Sequence, residues 1–383
     1  MSSPTAAGLE WAQRLVRLNT VSSESNLALI DCIADHLRTL GVPLRLTRDE
    51  SGRKANLFAT LGTGKPGGVI LSGHTDTVPW DGQDWRTDPL GGVVHDGRLW
   101  ARGSADMKGF IGLVVARTQA FLDADLPHAL HYAFSHDEEV GCFGVRHLIA
   151  DLKDAGLAPQ MCIVGEPTGM VPAVAHKGVY RWRCCIKGKA AHSSLTPQAV
   201  NAIEAGARVV SRIADLADGW RNNEPRYAGF DVPFSTAAVG VMQGGIADNV
   251  VPEDCHFHYE IRNLPGTDAL AMHREVADYA ATLVPAMQAV DPATGLRFEA
   301  ICAIPSFLAP AGDPAVALAQ RLAGSDSTAL VAFGTEAGLF QQAGIATVVC
   351  GPGSINQAHQ ADEYVSLEQL ALCEAFLERL ASR

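Results

Sequence analysis

Basic residues are scarce in this sequence: 30 Lys and Arg stand against 42 Asp and Glu in 383 residues, a formal net charge of -12. Contact with a phosphate backbone needs clustered Lys and Arg, so a nucleic-acid partner is excluded. Long apolar runs are missing too. The longest, near Phe110 to Ala116, falls far short of the roughly 20 residues that span a bilayer, and no basic stretch followed by an apolar one opens the chain. Membrane insertion and secretion are therefore not expected, and a cytoplasmic protein is. No two cysteines are spaced C-x-x-C, which argues against a thiolate zinc site. Nine cysteines, odd in number and irregular in spacing, suit reduced core thiols better than a disulfide framework.

What is present is ample apolar material, 47% of a chain too long for one ordinary core, which favours two domains. Leu9 to Leu18 and Leu27 to Leu40 have helical spacing, the latter ending at Gly41-Val42-Pro43. Strands are expected at Asn56 to Leu61, Val69 to Ser72, Ala129 to Ser135 and Met161 to Val164, with a helix from about Met107 to Leu122. Unbroken apolar runs alternating with helices predict an α/β fold, a mostly parallel sheet with helices on both faces. From about Gly178 the pattern becomes β-α-β-β-α-β: strands Val179 to Ile186, Ser235 to Gln243, Cys255 to Asn263 and Leu296 to Ala303, helices Pro197 to Leu216 and Asp268 to Leu283. That order predicts an inserted ferredoxin-like α+β domain. After Pro314 the α/β style resumes with a helix to about Ala323 and the strand Ile345 to Cys350. The expected division is 1–178 and 304–383 for the α/β domain, interrupted by 179–303.

The most informative stretch is Leu71-Ser72-Gly73-His74-Thr75-Asp76, where an apolar strand delivers a histidine and a carboxylate two residues apart at its carboxyl end. Ligands of parallel sheets bind there, and imidazole holds a cation well when its other ring nitrogen is held in turn. Asp106, Glu138, Glu139, Glu166 and His359 likewise follow apolar strands or open a helix. Taken singly, a strand-end histidine is usually a hydrogen-bonded structural residue and Asp137-Glu138-Glu139 a solvated loop. Their convergence favours metal. His74, Asp106, Glu139, Glu166 and His359 would let two divalent ions share Asp106, each with a His and a Glu. Nitrogen and oxygen ligands without thiolate favour two Zn2+ per chain, with Co2+ or Mn2+ as substitutes. His256 and His258 alternate with Cys255, Phe257 and Tyr259 and read as the polar face of a half-covered strand. His131 and His136 read as packing or loop histidines.

These residues resemble a known family. His74-Thr75-Asp76, Gly103-Ser104-Ala105-Asp106-Met107-Lys108-Gly109, Asp137-Glu138-Glu139, Gly165-Glu166-Pro167-Thr168 and His359 are similar, in order and gaps, to the M20 metallopeptidases, dinuclear-zinc amidohydrolases. The resemblance extends over essentially the whole chain. Within the family, Asp137 to Cys142, Gly334-Thr335-Glu336-Ala337 and Gly351 to Tyr364 are most similar to the enzymes that deacetylate N2-acetylornithine in arginine biosynthesis.

The resemblance implies roles. Asp106 would bridge; His74 and Glu166 would complete one metal position, Glu139 and His359 the other. Asp76 would orient His74 and Glu138 would be the general base. The sequence itself does not say which of the adjacent glutamates faces the metal. The inserted domain would serve dimerisation as a lid, making a homodimer, with His192 of Gly188-Lys189-Ala190-Ala191-His192-Ser193 reaching a neighbouring site to stabilise the oxyanion. Arg262 and Asn249 fall where the family binds an N-acyl amino acid; Arg262 suits a carboxylate, or equally a structural pair with Glu260. Thr335, Lys177 and Glu336 are further candidates for substrate contact. Other readings on the same fold are another N-acyl amino acid deacylase, a desuccinylase, a dipeptidase, or a catalytically silent binding protein.

Overall fold

The computed structural model describes residues 3–382. The chain forms two compact units: the residues up to Ala175 with Phe307–Val331 and those from Thr335 onward, and His176–Ser306 with Ala332–Gly334.

The first unit is built on a nine-stranded sheet. Across it lie Leu44–Arg48, Ala55–Leu61, Leu130–Ser135, Val69–His74, Met161–Pro167, Ala346–Gly351, Ala173–His176 and Phe307–Leu308, with Ala329–Val331 paired to Ala173–His176. Leu130–Ser135, Val69–His74, Met161–Pro167 and Ala346–Gly351 are mutually parallel, while Ala55–Leu61 runs antiparallel to Leu44–Arg48 and Leu130–Ser135, and Ala173–His176 antiparallel to Ala346–Gly351. Every residue of Val69–His74 and Leu130–Ser135 is buried, which is why these strands read as continuous apolar runs.

Helix Lys108–Ala116 crosses this sheet and is apolar nearly all round, with all residues from Lys108 to Val115 buried. Two glycines let its neighbours approach. A Cβ on Gly112 would stand 2.6 Å from Ala12 in helix Ala6–Val16, and one on Gly165 would stand 2.2 Å from the Phe110 ring. The single helix expected from Met107 to Leu122 is in fact two, Lys108–Ala116 and Thr118–Asp123. At the break the Arg117 N–H is shared between the carbonyls of Leu113 and Val114, and the Thr118 hydroxyl donates back to Val115 O at 2.8 Å. Such back-bonding bends a helix.

Helices Phe143–Asp154 and Leu367–Ala381 and strand Leu44–Arg48 add to the elements that the periodicity predicts. So does the small sheet of Val93–His95, Arg98–Trp100 and Tyr364–Ser366. Its hairpin turns at Asp96-Gly97, both at positive φ (50° and 70°), as a tight primed turn requires.

The second unit holds a four-stranded antiparallel sheet in the order Thr236–Gly244, Asp254–Arg262, Val179–Lys187, Gly295–Ile304. With helices Ala202–Asn223 and Ala269–Gln288 this is the expected ferredoxin-like arrangement. The first of these helices starts later than Pro197, which sits in a 3-10 turn, Ser193–Gln198. Asn201 makes the start, its side chain accepting the N–H groups of Ile203 and Glu204. Trp182, Phe257, Tyr259 and Ile261 face the core; His256 and His258 alternate with these and pair across the sheet with Cys185 and Arg183.

Candidate active site

The proposed ligands meet at the carboxyl ends of the parallel strands of the first unit. His74 ends its strand, Glu166 lies near the end of Met161–Pro167, and Glu138 and Glu139 follow Leu130–Ser135. Asp106 sits just before helix Lys108–Ala116, across a cis Asp106–Met107 peptide. His359 stands on the loop after Ala346–Gly351, at φ 61°.

Asp106 lies between the two imidazoles. Its Oδ1 is 2.8 Å from His74 Nε2, and its Oδ2 is 3.1 Å from His359 Nε2. The nearest further carboxylates divide the set: Glu166 Oε1 is 3.7 Å from His74 Nε2, and Glu139 Oε2 is 3.1 Å from His359 Nε2. Ligand atoms of His74, Asp106 and Glu139 lie within 4.8 Å of one another, as do those of His74, Glu138 and Glu166. Of the adjacent glutamates, it is Glu139 that meets His359, while Glu138 accepts the Cys142 thiol at 3.4 Å.

The electrostatics fit a cation site. Burial pushes the carboxyls of Glu138 and Glu166 well above their ordinary range and raises Glu139 also, and the neighbouring carboxylates push in the same direction. Burial would raise Asp106 as well, but hydrogen bonds from His359 and His74 hold it low. Burial alone would lower His74; its bond to Asp106 and the surrounding negative charge instead hold it well above its ordinary value. His359 is pushed up to about 11 by its bonds to Asp106 and Glu139. Among the described residues, His74 and His359 are the basic side chains within 4 Å of Asp106, Glu139 and Glu166, placed against this buried acidic cluster where a cation would sit. The spacing agrees: two ligands ~2.0–2.1 Å from one tetrahedral zinc stand ~3.3 Å apart, and the contacts at 2.8, 3.1, 3.1 and 3.7 Å straddle that value.

Asp76 divides its work. His74 Nδ1 bonds its main-chain carbonyl at 2.9 Å, while its carboxylate is 3.8 Å away. That carboxylate instead accepts the N–H groups of Glu138 and Glu139 at 3.0 and 3.3 Å and the Ser22 hydroxyl at 2.7 Å. The orienting group for the histidine is thus peptide, and the side chain holds the acidic turn.

Two buried acids support the site in ways that sequence spacing does not give, although Glu336 is a candidate for substrate contact and both lie in the segments of resemblance. Glu363 accepts the N–H groups of Ala105 and Asp106 and pairs with buried Arg102. Glu336 is buried and takes hydroxyl bonds from Ser72 and Ser135, on the strands that lead to His74 and Glu138. Beyond that resemblance, the signal for them is the occurrence of acids inside otherwise apolar or Gly-rich segments.

Thr335 is fully buried and its hydroxyl accepts the Ala337 N–H at 3.0 Å at a helix start, which leaves its O–H free to donate. In the second unit, Arg262 Nε donates to Glu260 Oε1 at 2.5 Å, the structural alternative, and Glu260 also takes Arg181. Lys177 Nζ donates to Phe234 O at 2.7 Å. Asn249 is exposed, its carbonyl accepting the Ser193 N–H. His192 is exposed, and its Nδ1 accepts the Ser194 N–H at 3.2 Å. Accepting that bond on Nδ1 goes with the ring proton on Nε2, and the Ser194 hydroxyl also lies 2.9 Å from Nδ1.

The sequence matches Peptidase family M20/M25/M40 over residues 70–383. It is 36% identical over 369 residues to an acetylornithine deacetylase of Proteus mirabilis, covering 94% of this chain and 92% of that one. Its fold is similar to an M20 family metallo-carboxypeptidase from Sulfolobus solfataricus, with TM-score 0.78 at 15% identity and 98% and 99% of the two chains covered. A dinuclear metal binding peptidase of the M20 family from Bacillus subtilis gives TM-score 0.64 at 15% identity, covering 98% and 96%. At such identity the likeness is one of fold.

Proposed function

We propose, from the fact that this chain belongs to peptidase family M20/M25/M40, that it hydrolyses the amide of N2-acetyl-L-ornithine to L-ornithine and acetate, in the cytoplasm and as a step of arginine biosynthesis. The observation that supports hydrolysis is Asp106 held between two imidazoles among buried glutamates. The choice of substrate leans on the 36% identical relative.

Asp106, His74, Glu166, Glu139 and His359 would hold two zinc ions, which when bound supply Lewis acidity and lower the pKa of water. Glu138 takes a proton from the attacking water and delivers it to the departing α-amine. Its environment suits a base that must also act as an acid, since burial raises its affinity for the proton. His192 Nε2 donates to the acyl oxygen as it gains charge. In a homodimer that donor would come from the partner chain. Asn249 and Arg262 are the proposed substrate contacts, Arg262 exchanging its Glu260 partner for the substrate carboxylate. Thr335 is a further proposed contact, through the O–H that its bond to the Ala337 N–H leaves free.

The test is a panel of N-acyl amino acids offered to purified, zinc-loaded protein, with the chelated protein as control. N2-acetylornithine is expected to give the highest kcat/KM. A faster N-succinyl substrate or dipeptide would replace the substrate while keeping the chemistry; no amide turnover with metal bound would favour a silent binding protein.

A further inference from the structure

Asp106 and His359 are also joined from behind, through an unbroken series of hydrogen bonds. The Asp106 N–H donates to Glu363 Oε1 at 3.2 Å. Glu363 Oε2 accepts from Arg102 Nη1 at 2.7 Å, Arg102 Nη2 donates to Gln83 Oε1 at 2.6 Å, and Gln83 Nε2 donates to the His359 carbonyl at 2.9 Å. The charged pair is almost completely buried, its side chains 1% and 0% exposed. Such a pair adds little to stability against an apolar replacement, so stability alone does not account for it. Position does.

His359 needs positioning. Its side chain is 48% exposed and its backbone is left-handed, so packing does little to fix it. Gln83 is itself fixed, since its Oε1 also accepts Trp85 Nε1 at 3.0 Å and the Trp85 ring lies 5.1 Å from the Arg102 guanidinium. A second tie binds the same two loops: Asp362 Oδ1 accepts the N–H groups of Arg86 and Thr87, each at 3.0 Å.

We infer that Gln83 is a positioning residue for the metal centre: by donating to the His359 backbone from a support anchored on Asp106, it sets the spacing of these two ligands and hence the affinity of the metal position completed by His359 and Glu139. The inference rests on the proposed dinuclear site. It predicts an asymmetric effect, because the bond that Gln83 donates ends on His359, while Asp106 keeps its own bonds to Glu363 and His74.

Calorimetric zinc titration tests it in wild type, Gln83→Ala, Gln83→Glu and His359→Ala, and in the double variant Gln83→Ala/His359→Ala. Glu in place of Gln83 still accepts from Arg102 but has no amide to donate. Both Gln83 variants are expected to bind one ion as wild type does and the other about 10–100-fold more weakly, the range seen when a ligand's supporting partner is lost. The double variant should bind its one remaining ion with the affinity of His359→Ala alone. Two ions bound with unchanged affinities in both Gln83 variants overturn the inference, as does weakening of the ion that survives in His359→Ala. A wild type that takes up fewer than two ions removes the dinuclear reading as well, a separately visible result.

Discussion

The Asp76 carboxylate accepts the main-chain N–H of Glu138 at 3.0 Å. It thereby ties the strand end bearing one proposed metal ligand to the turn bearing the proposed base. The same side chain takes the Glu139 N–H, so base and ligand are set by one support.

Asp76→Ala should therefore disturb more than the histidine. Two N–H groups would lose their acceptor, at about 1–3 kcal/mol for each one left buried and unpaired. We expect a lower melting temperature in the metal-free protein and zinc affinity weaker by about 10–100-fold. Unchanged metal binding in a folded variant would show that the main-chain carbonyl on His74 is sufficient.

Asp106→Ala is expected to weaken both ions, because each oxygen of Asp106 faces a different histidine. Zinc titration with elemental analysis should show two ions in wild type. Chelation should abolish activity, and zinc or cobalt should restore it. Saturation of wild type at one ion would sink the dinuclear site.

Glu138→Gln should keep both ions and lose ~10²–10⁴ in kcat, the usual effect of removing a general base. Glu139→Gln should lose metal, since Glu139 and not Glu138 meets His359. The opposite pattern would exchange the two assignments.

His192→Ala is expected to cut kcat by roughly 10²–10³ with metal content intact, as for loss of one oxyanion donor. Mixing it with Glu138→Gln protein tests the source of the donor. Activity that recovers after verified subunit exchange means donation from the partner chain; activity that stays at the parental level means donation within the chain or none.

Acid stability should depend on His176, which lies outside the metal cluster. Burial lowers its pKa from 6.5 to about 4, against a weaker opposing bond to the Lys177 carbonyl. The unfolded chain takes up this proton first, so the contribution is complete above 6.5 and is lost as pH falls towards 4. Within that window His176→Gln should flatten the pH dependence of unfolding free energy by about 1.4 kcal/mol per pH unit. Denaturant titrations at several pH values would reveal an unchanged slope if the idea is wrong.

The main strands and the candidate ligands were legible because both follow local rules. Val69 to His74 reads as a buried strand from its own residues, and strand ends are where parallel sheets bind ligands. What supports the ligands was not legible. Gln83 meets His359 276 positions away, and Arg102 meets Glu363 261 positions away; no periodicity connects such pairs. Side-chain pairings were hidden for the same reason: the bond from the Ala337 N–H to the Thr335 hydroxyl depends on a helix start that the sequence does not mark. The break at Arg117 depends on a hydroxyl turned back onto its own helix, within a run whose apolar content reads as continuous.

Helix Lys108–Ala116, buried from Lys108 to Val115, begins two residues after Asp106. Its amides have no route to solvent short of opening the surrounding core, so their hydrogen exchange should be governed by global unfolding. Deuterium uptake along this helix would then measure, in the intact protein, how much of the free energy of metal binding reaches the whole fold.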